Sequence, residues 1–211
     1  DAWWDRRQER HLEVALLGDL QRDFEASQAH LERWLDGNRR VLEATDALLQ
    51  RLRTAAEGET FETRPEWIVA AVGTPTYSPT DATLSAAVAA GRLDLLGDTE
   101  LRKALASWRQ QIDDTREDEL LLRELVAFRL VPILADQLRL GAAFDFEPHT
   151  SWFVNNVDLA SESMQVLEAT PALEAAVSQR VFYQRFIVDG LAALHETQAS
   201  ILELIALSTP P

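Results

Sequence analysis

Residues 79–105 read PTDATLSAAVAAGRLDLLGDTELRKAL: a short helix, a turn, and the capped start of a long helix. Thr80 or Asp81 is placed to accept the first-turn N–H groups that a helix cannot satisfy internally. Leu84, Ala87 and Val88 fall at helical spacing and give that helix one packing face. Gly91 supplies the left-handed conformation that ends helices. The chain then buries the leucines of Arg-Leu-Asp-Leu-Leu and turns at Gly97. Asp98 or Thr99 caps again, with Glu100 in the first turn, where the helix dipole favours an anion. This is a helix–turn–helix corner that closes a bundle core, and none of its residues is reactive.

Working outward, the rest of the chain follows the same period. From Trp3 to Ala56, residues Leu17, Leu20, Phe24, Leu31, Trp34, Val41, Leu48 and Leu52 sit three, four or seven apart, a heptad-like stripe. Ser27, Asn38 and Thr45 interrupt it, and Gly37-Asn38 is a place for a kink or break. Unbroken, such a helix would be about 80 Å long, so its start is expected to overhang as a stalk. Residues 57–79 are irregular apart from a short helix after Pro65. A second long helix runs from about Thr99 to Leu138, with Leu101, Leu105, Trp108, Ile112, Leu120, Leu121, Leu125, Phe128 and Leu130 as its apolar side. Asp113, Asp114, Glu117, Asp118 and Glu119 form a charged interval, and Pro132 should kink the helix near Phe128. Gly141 to Ser151 reads as a loop and Trp152 to Leu167 as a shorter helix. Thr170-Pro171 opens the last helix, through Leu173, Val177, Val181, Val188, Leu191, Leu194, Leu202 and Ile205. The expected fold is therefore all-α, an up-and-down bundle of four or five helices with long first, middle and last members, in a single domain over 1–211.

The 211 residues carry 35 acidic and 20 basic side chains, a formal net charge of −15. That field repels phosphate backbones, which argues against nucleic acid as a partner, and it argues against broad binding to anionic lipid. The absence of cysteine removes disulfides, thiol nucleophiles and thiolate metal sites. No apolar run approaches the roughly 20 residues that span a bilayer.

The chain opens at Asp1, without an initiator Met, as DAWWDRRQER. Trp3 and Trp4 beside Arg6 and Arg7 are what the membrane–water interface selects, aromatic rings with an apolar body and a polar edge next to cations. Packing on a neighbouring helix would use two tryptophans equally well. The first reading expects an upstream membrane helix to have been removed, with about 1–16 as a juxtamembrane stalk.

Two stretches, TYSPTDATLSAAVAAGRLDLLGDTELRKALASW and DAWWDRRQERHLEVALLGDLQRDFEAS, resemble a bacterial family described only as a domain of unknown function. Leu84, Gly91, Leu93, Leu95, Leu96, Leu101, Arg102, Ala104 and Leu105 carry the resemblance in the first stretch. Trp4, Arg6, Leu17, Leu20 and Asp23 carry it in the second. The resemblance implies a one-pass membrane protein whose helical domain follows the anchor and lies in the periplasm by the positive-inside rule. Arg6, Arg7 and Arg10, just after the anchor, leave a cytoplasm-facing domain open. No catalytic residue is implied.

Chemistry is sparse. None of His11, His30, His149 and His195 has Glu three residues before it, so the Glu-x-x-His pairs of bundle di-metal sites are missing and no metal or other cofactor is expected. His195 sits beside Leu191 and Leu194 on the last helix, with Gln198 one turn on and Gln184 earlier. If these face Ser27, Asn38 and Thr45, they line a polar cavity for a small molecule; the same residues equally set helix register. The acidic interval fits no calcium loop and reads as a solvated face. Phe144, Phe146, His149, Trp152 and Phe153 form an aromatic-rich segment that plugs one bundle end or meets a partner. Three functions follow. The first is a non-catalytic, membrane-tethered bundle acting as sensor, scaffold or protein-interaction module. The second is a ligand-binding or catalytic bundle around His195. The third is a dimer through the first helix's stripe.

Overall fold

The structure is a computed structural model, and it describes residues 2–79, 81–138 and 165–208. The side chains of Ala2, Asp5 and Arg6 lie outside that description. So do Thr80 and residues 139–164, with the loop at 141–151, His149, its aromatic neighbours, and most of the helix expected over 152–167.

The architecture is all-α. Helix α1 (Ala2–Thr54) is followed by strand β1 (Thr60–Thr63), α2 (Pro65–Val72), α3 (Ala82–Ala89) and a 3-10 turn (Arg92–Leu95). Next come α4 (Thr99–Leu125), a π-helical turn (Val126–Leu130), α5 (Val131–Ala135), strand β2 (Gln165–Glu168) and α6 (Pro171–Ser208). The packing divides into two compact units. Unit 1 comprises residues 1–32, 77–114 and 190–211; unit 2 comprises 33–76 and 115–189. Helices α1, α4 and α6 each contribute residues to both.

In unit 1 the corner at 79–105 forms the elements its sequence suggests, but Leu96 alone of its three turn leucines is buried, Leu93 and Leu95 being half-buried, and one cap changes. Asp98 caps α4, accepting the N–H groups of Glu100 at 2.8 Å and Leu101 at 3.2 Å. Gly91 takes the left-handed conformation, φ 64°. The N-terminus of α3, however, has no side-chain cap from Asp81. Asp23 on α1 accepts the Thr83 N–H at 3.0 Å instead, a long-range cap that a local motif does not reveal. Glu13, also on α1, accepts the Gly97 N–H at 2.7 Å, and a Cβ at Gly97 would stand 3.2 Å from that carboxylate oxygen. Leu17, Leu20, Phe24, Leu101, Leu105, Trp108 and Ile112 are buried as their spacing required. Before Leu17, α1 is exposed at nearly every described position.

In unit 2 the small sheet is unexpected. Strand β1 pairs antiparallel with β2, Phe61 opposite Leu167, where the sequence suggests an irregular stretch and the end of a helix. Four residues per strand are too few to show alternation, and the pairing joins segments far apart in sequence. Arg51 stacks over Phe61 at 4.5 Å and bonds Glu59 at 2.8 Å, closing the turn into β1. The expected break at Gly37-Asn38 does not occur. Helix α1 passes through, with Asn38 Nδ2 donating to the Trp34 carbonyl one turn back at 2.9 Å.

The middle helix needs the largest correction. Leu120, Leu121 and Phe128 are exposed, at 50%, 41% and 82%. The buried stripe instead runs Thr115, Glu119, Leu122, Val126, Leu130 and Leu134, so Glu119 is interior and not part of a solvated face. The 3/4 spacing from Ile112 continues through two polar residues, and the apolar residues alone misplace its phase. The π turn just before Pro132 absorbs the backbone bond that proline cannot make. On α6, Ile187 and Ile201 take the interior positions expected for Val188 and Leu202, which are half-buried.

The Asp98 cap makes a prediction. The N–H of Leu101, then that of Glu100, the Ser208 hydroxyl and the Arg102 charge hold its carboxyl below the ordinary 3.8, against opposing desolvation. A depressed carboxyl stabilises the fold above its unfolded value, and that contribution is lost as pH falls through the folded one. Asp98→Asn keeps a capping oxygen, so it should leave α4 intact at pH 7 while flattening the acid limb of the stability curve. Urea titrations between pH 2.5 and 7 check this; parallel curves for both proteins would refute it.

Candidate functional site

The polar residues along the helix stripes are brought together in two groups, one in each unit. In unit 1, Gln198 on α6 donates through Nε2 to Ser27 Oγ at 2.8 Å and to the Phe24 carbonyl at 2.8 Å. Ser27 in turn donates to the Phe24 carbonyl at 3.1 Å. Both side chains are buried, Ser27 5% and Gln198 1% exposed. His195, the centre of the expected ligand layer, is not with them. Its ring stands 3.5 Å from Glu32 at the edge of the unit, with the side chain 37% exposed.

In unit 2, Gln184 Nε2 donates to Asn38 Oδ1 at 2.8 Å and lies 3.3 Å from the Asn38 carbonyl. Thr45 takes no part and donates to its own helix at the Val41 carbonyl, 2.7 Å away. The five candidate residues His195, Gln198, Gln184, Ser27 and Asn38 thus form two buried helix-pairing contacts, with Gln198 Oε1 left without a partner among the described residues, and one edge contact, His195 with Glu32. The surface depressions along α1 and beside Thr170 involve none of them. Buried polar contacts of this kind fix which residues of two helices meet.

The residue that organises the second group is Arg180, which reading the sequence missed. It is fully buried, and its guanidinium donates to Gln184 Oε1 at 2.6 Å and to three backbone carbonyls. These are Ala71 at 3.1 Å, Ala70 at 3.1 Å and Gly73 at 2.9 Å, the C-terminal end of α2. Helix α2 has eight residues, Ile68 to Ala71 are buried, and its last turn contains no basic residue. Its end carbonyls have no water to turn to, and Arg180 supplies both the donors and the positive charge that a helix C-terminus favours. No described carboxylate pairs with it. Burial lowers its pKa to about 9, which still leaves it charged at neutral pH. The sequence did contain the signal: Leu173, Val177, Arg180, Gln184, Ile187, Leu191, Leu194 and Gln198 follow one 3/4 spacing, with Arg180 on the stripe.

The exposed surface carries two aromatic clusters. In unit 1, Trp3 and Trp4 are 62% and 65% exposed and stack with ring centroids 5.9 Å apart. The Arg7 guanidinium lies 5.3 Å from the Trp3 ring centre. In unit 2, Phe182 and Phe186 on α6 are 56% and 47% exposed and meet edge to face at 4.8 Å. Arg129, next to the exposed Phe128, donates to Gln179 one turn before Phe182, at 2.7 Å. That bond sets Phe128 and the α6 pair on adjoining elements.

Among the described residues no group of three or more His, Asp or Glu is placed to hold a metal ion. No described helix is long and apolar enough to cross a membrane. No family model, curated protein or solved structure matches the chain.

Proposed function

We propose that this chain is a non-catalytic helical module that works by binding a protein partner beside a membrane, as an extracytoplasmic sensor or scaffold. The observation that carries this is the aromatic face of unit 2. Single exposed apolar residues are ordinary, but here two rings are pre-ordered edge to face, and a third, Phe128, is exposed beside the Arg129 that bonds the same helix. Two neighbouring cations are already engaged: Arg129 with Gln179, and Arg185 with Asp46 at 3.4 Å. Aromatic anchors whose adjoining cations are already engaged suit an apolar protein surface better than an anionic ligand. The interior amides of Gln184 and Gln198, in contrast, are spent on holding helices together. The tether rests on the exposed Trp3 and Trp4 and on the resemblance of the two leucine-rich stretches to membrane-anchored proteins.

The test is site-specific photo-crosslinking in the membranes of the protein's own host, with a benzoylphenylalanine at Phe186 of the full-length protein. One discrete heterologous protein adduct is expected, absent when the probe stands at exposed Glu203. Adducts only to the protein itself, or none, would overturn the proposal.

A further inference from the structure

The first three turns of α1 present a surface of different chemistry. Trp4, Arg7, Gln8, His11 and Leu12 line an open depression of about 550 Å³. Trp4 and Leu12 lie two turns apart on one face, and Leu12 is 47% exposed. Between these apolar ends stand the donors of Arg7, Gln8 and His11. An indole with an apolar body and a polar N–H is at home where hydrocarbon meets headgroups, and a guanidinium is the natural partner of a phosphodiester.

We infer that this face of α1 seats against the headgroup layer of a zwitterionic phospholipid bilayer, with Trp4 and Leu12 at the acyl boundary, Trp3 stacked beside Trp4, and Arg7 on a phosphate. Charge selects the lipid class. The chain carries −15 overall, and in the adjacent depression Glu9, Glu13 and Asp94 outnumber the single cation Arg10, so an anionic leaflet is disfavoured. A phosphocholine layer is neutral overall. It offers its phosphate to Arg7, already stacked on Trp3, and its quaternary ammonium to an indole face. A patch of this size holds weakly and reversibly by itself, adding to whatever else keeps the protein at the membrane. The inference rests on the proposed function only in requiring a membrane nearby; the Phe182–Phe186 face takes no part.

The experiment is flotation of the 211-residue protein with phosphatidylcholine vesicles, repeated with phosphatidylglycerol mixed in. Wild type is expected to float with phosphatidylcholine, and W3A/W4A to lose that binding by about tenfold or more. Anionic lipid is expected to weaken wild-type binding, and free phosphocholine to leave it unchanged. Both indoles are exposed, so the double variant keeps its circular dichroism. No flotation, equal flotation of W3A/W4A, or binding only with phosphatidylglycerol overturns the inference. Each of these results leaves the crosslink from Phe186 standing, whereas loss of that crosslink leaves flotation untouched, so the two failures are distinguishable.

Discussion

Arg180→Met should cost unit 2 about 3–5 kcal/mol, the scale for removing one partner from a buried charged network. The opposing argument is that burying a guanidinium is itself expensive, so an apolar side chain of similar volume ought to be neutral or better. That escape works when both sides of a polar contact are replaced together. In unit 2 three of the four acceptors are the backbone carbonyls of Ala70, Ala71 and Gly73, which no substitution removes. Methionine would leave them, and Gln184 Oε1, buried without a donor, each costing about 1–3 kcal/mol before relaxation. Relaxation through water entry has its own cost, because Ile68 to Ala71 are buried around that helix end.

The effect should be local before it is global. Hydrogen exchange on Arg180→Met is expected to lose protection first at the amides of α2, with urea unfolding giving the total. Arg180→Lys keeps the charge but not the flat fork that reaches three carbonyls and an amide, so it should fall between the two. Stability within about 1 kcal/mol of wild type for the methionine variant would mean that the carbonyls find other donors. Arg180 would then not be what completes the end of α2.

The legible parts of this fold share one property: their determinants lie within a few residues of each other. The Asp98 cap, the Gly91 turn and the Thr170-Pro171 start of α6 are short-range rules, and all three form, with Thr170 Oγ1 accepting the Leu173 N–H at 3.2 Å. What was not legible depends on contacts far apart in the chain. Asp23 caps α3 from another helix, Phe61 finds Leu167 across the sheet, and Arg180 reaches back to α2. Arg180 and Glu119 show a further reason. A stripe traced only through apolar residues skips a polar residue in phase with it, and those are the residues that hold the interior together. The candidate ligand layer fails to assemble for a related cause. Ser27 pairs with Gln198 and Asn38 with Gln184, but the pairs belong to different compact units, and His195 points to the edge, toward Glu32. Helical spacing gives the face a residue is on without giving its depth.

Trp108 is where unit 1 is most exposed to a single change. It is 1% exposed, among the largest fully buried side chains, and meets Phe24 edge to face at 5.2 Å. Trp108→Ala removes that ring from a close-packed interior and should destabilise by about 3–5 kcal/mol, transfer and cavity terms together. Trp108→Phe separates packing from polarity. The indole Nε1 of Trp108 is buried with no hydrogen-bond partner among the described residues. Phenylalanine gives up volume but also discards an unpaired donor, so its cost should stay below about 1.5 kcal/mol, the range of well-tolerated core swaps. Urea unfolding of the three proteins, with hydrogen exchange at Leu101 to Ile112, measures both. If Trp108→Phe proves nearly as costly as Trp108→Ala, the indole N–H must be bonded in solution, by water or by another group. The interior of unit 1 would then hold a polar contact beyond those that Ser27 and Gln198 make to the Phe24 carbonyl.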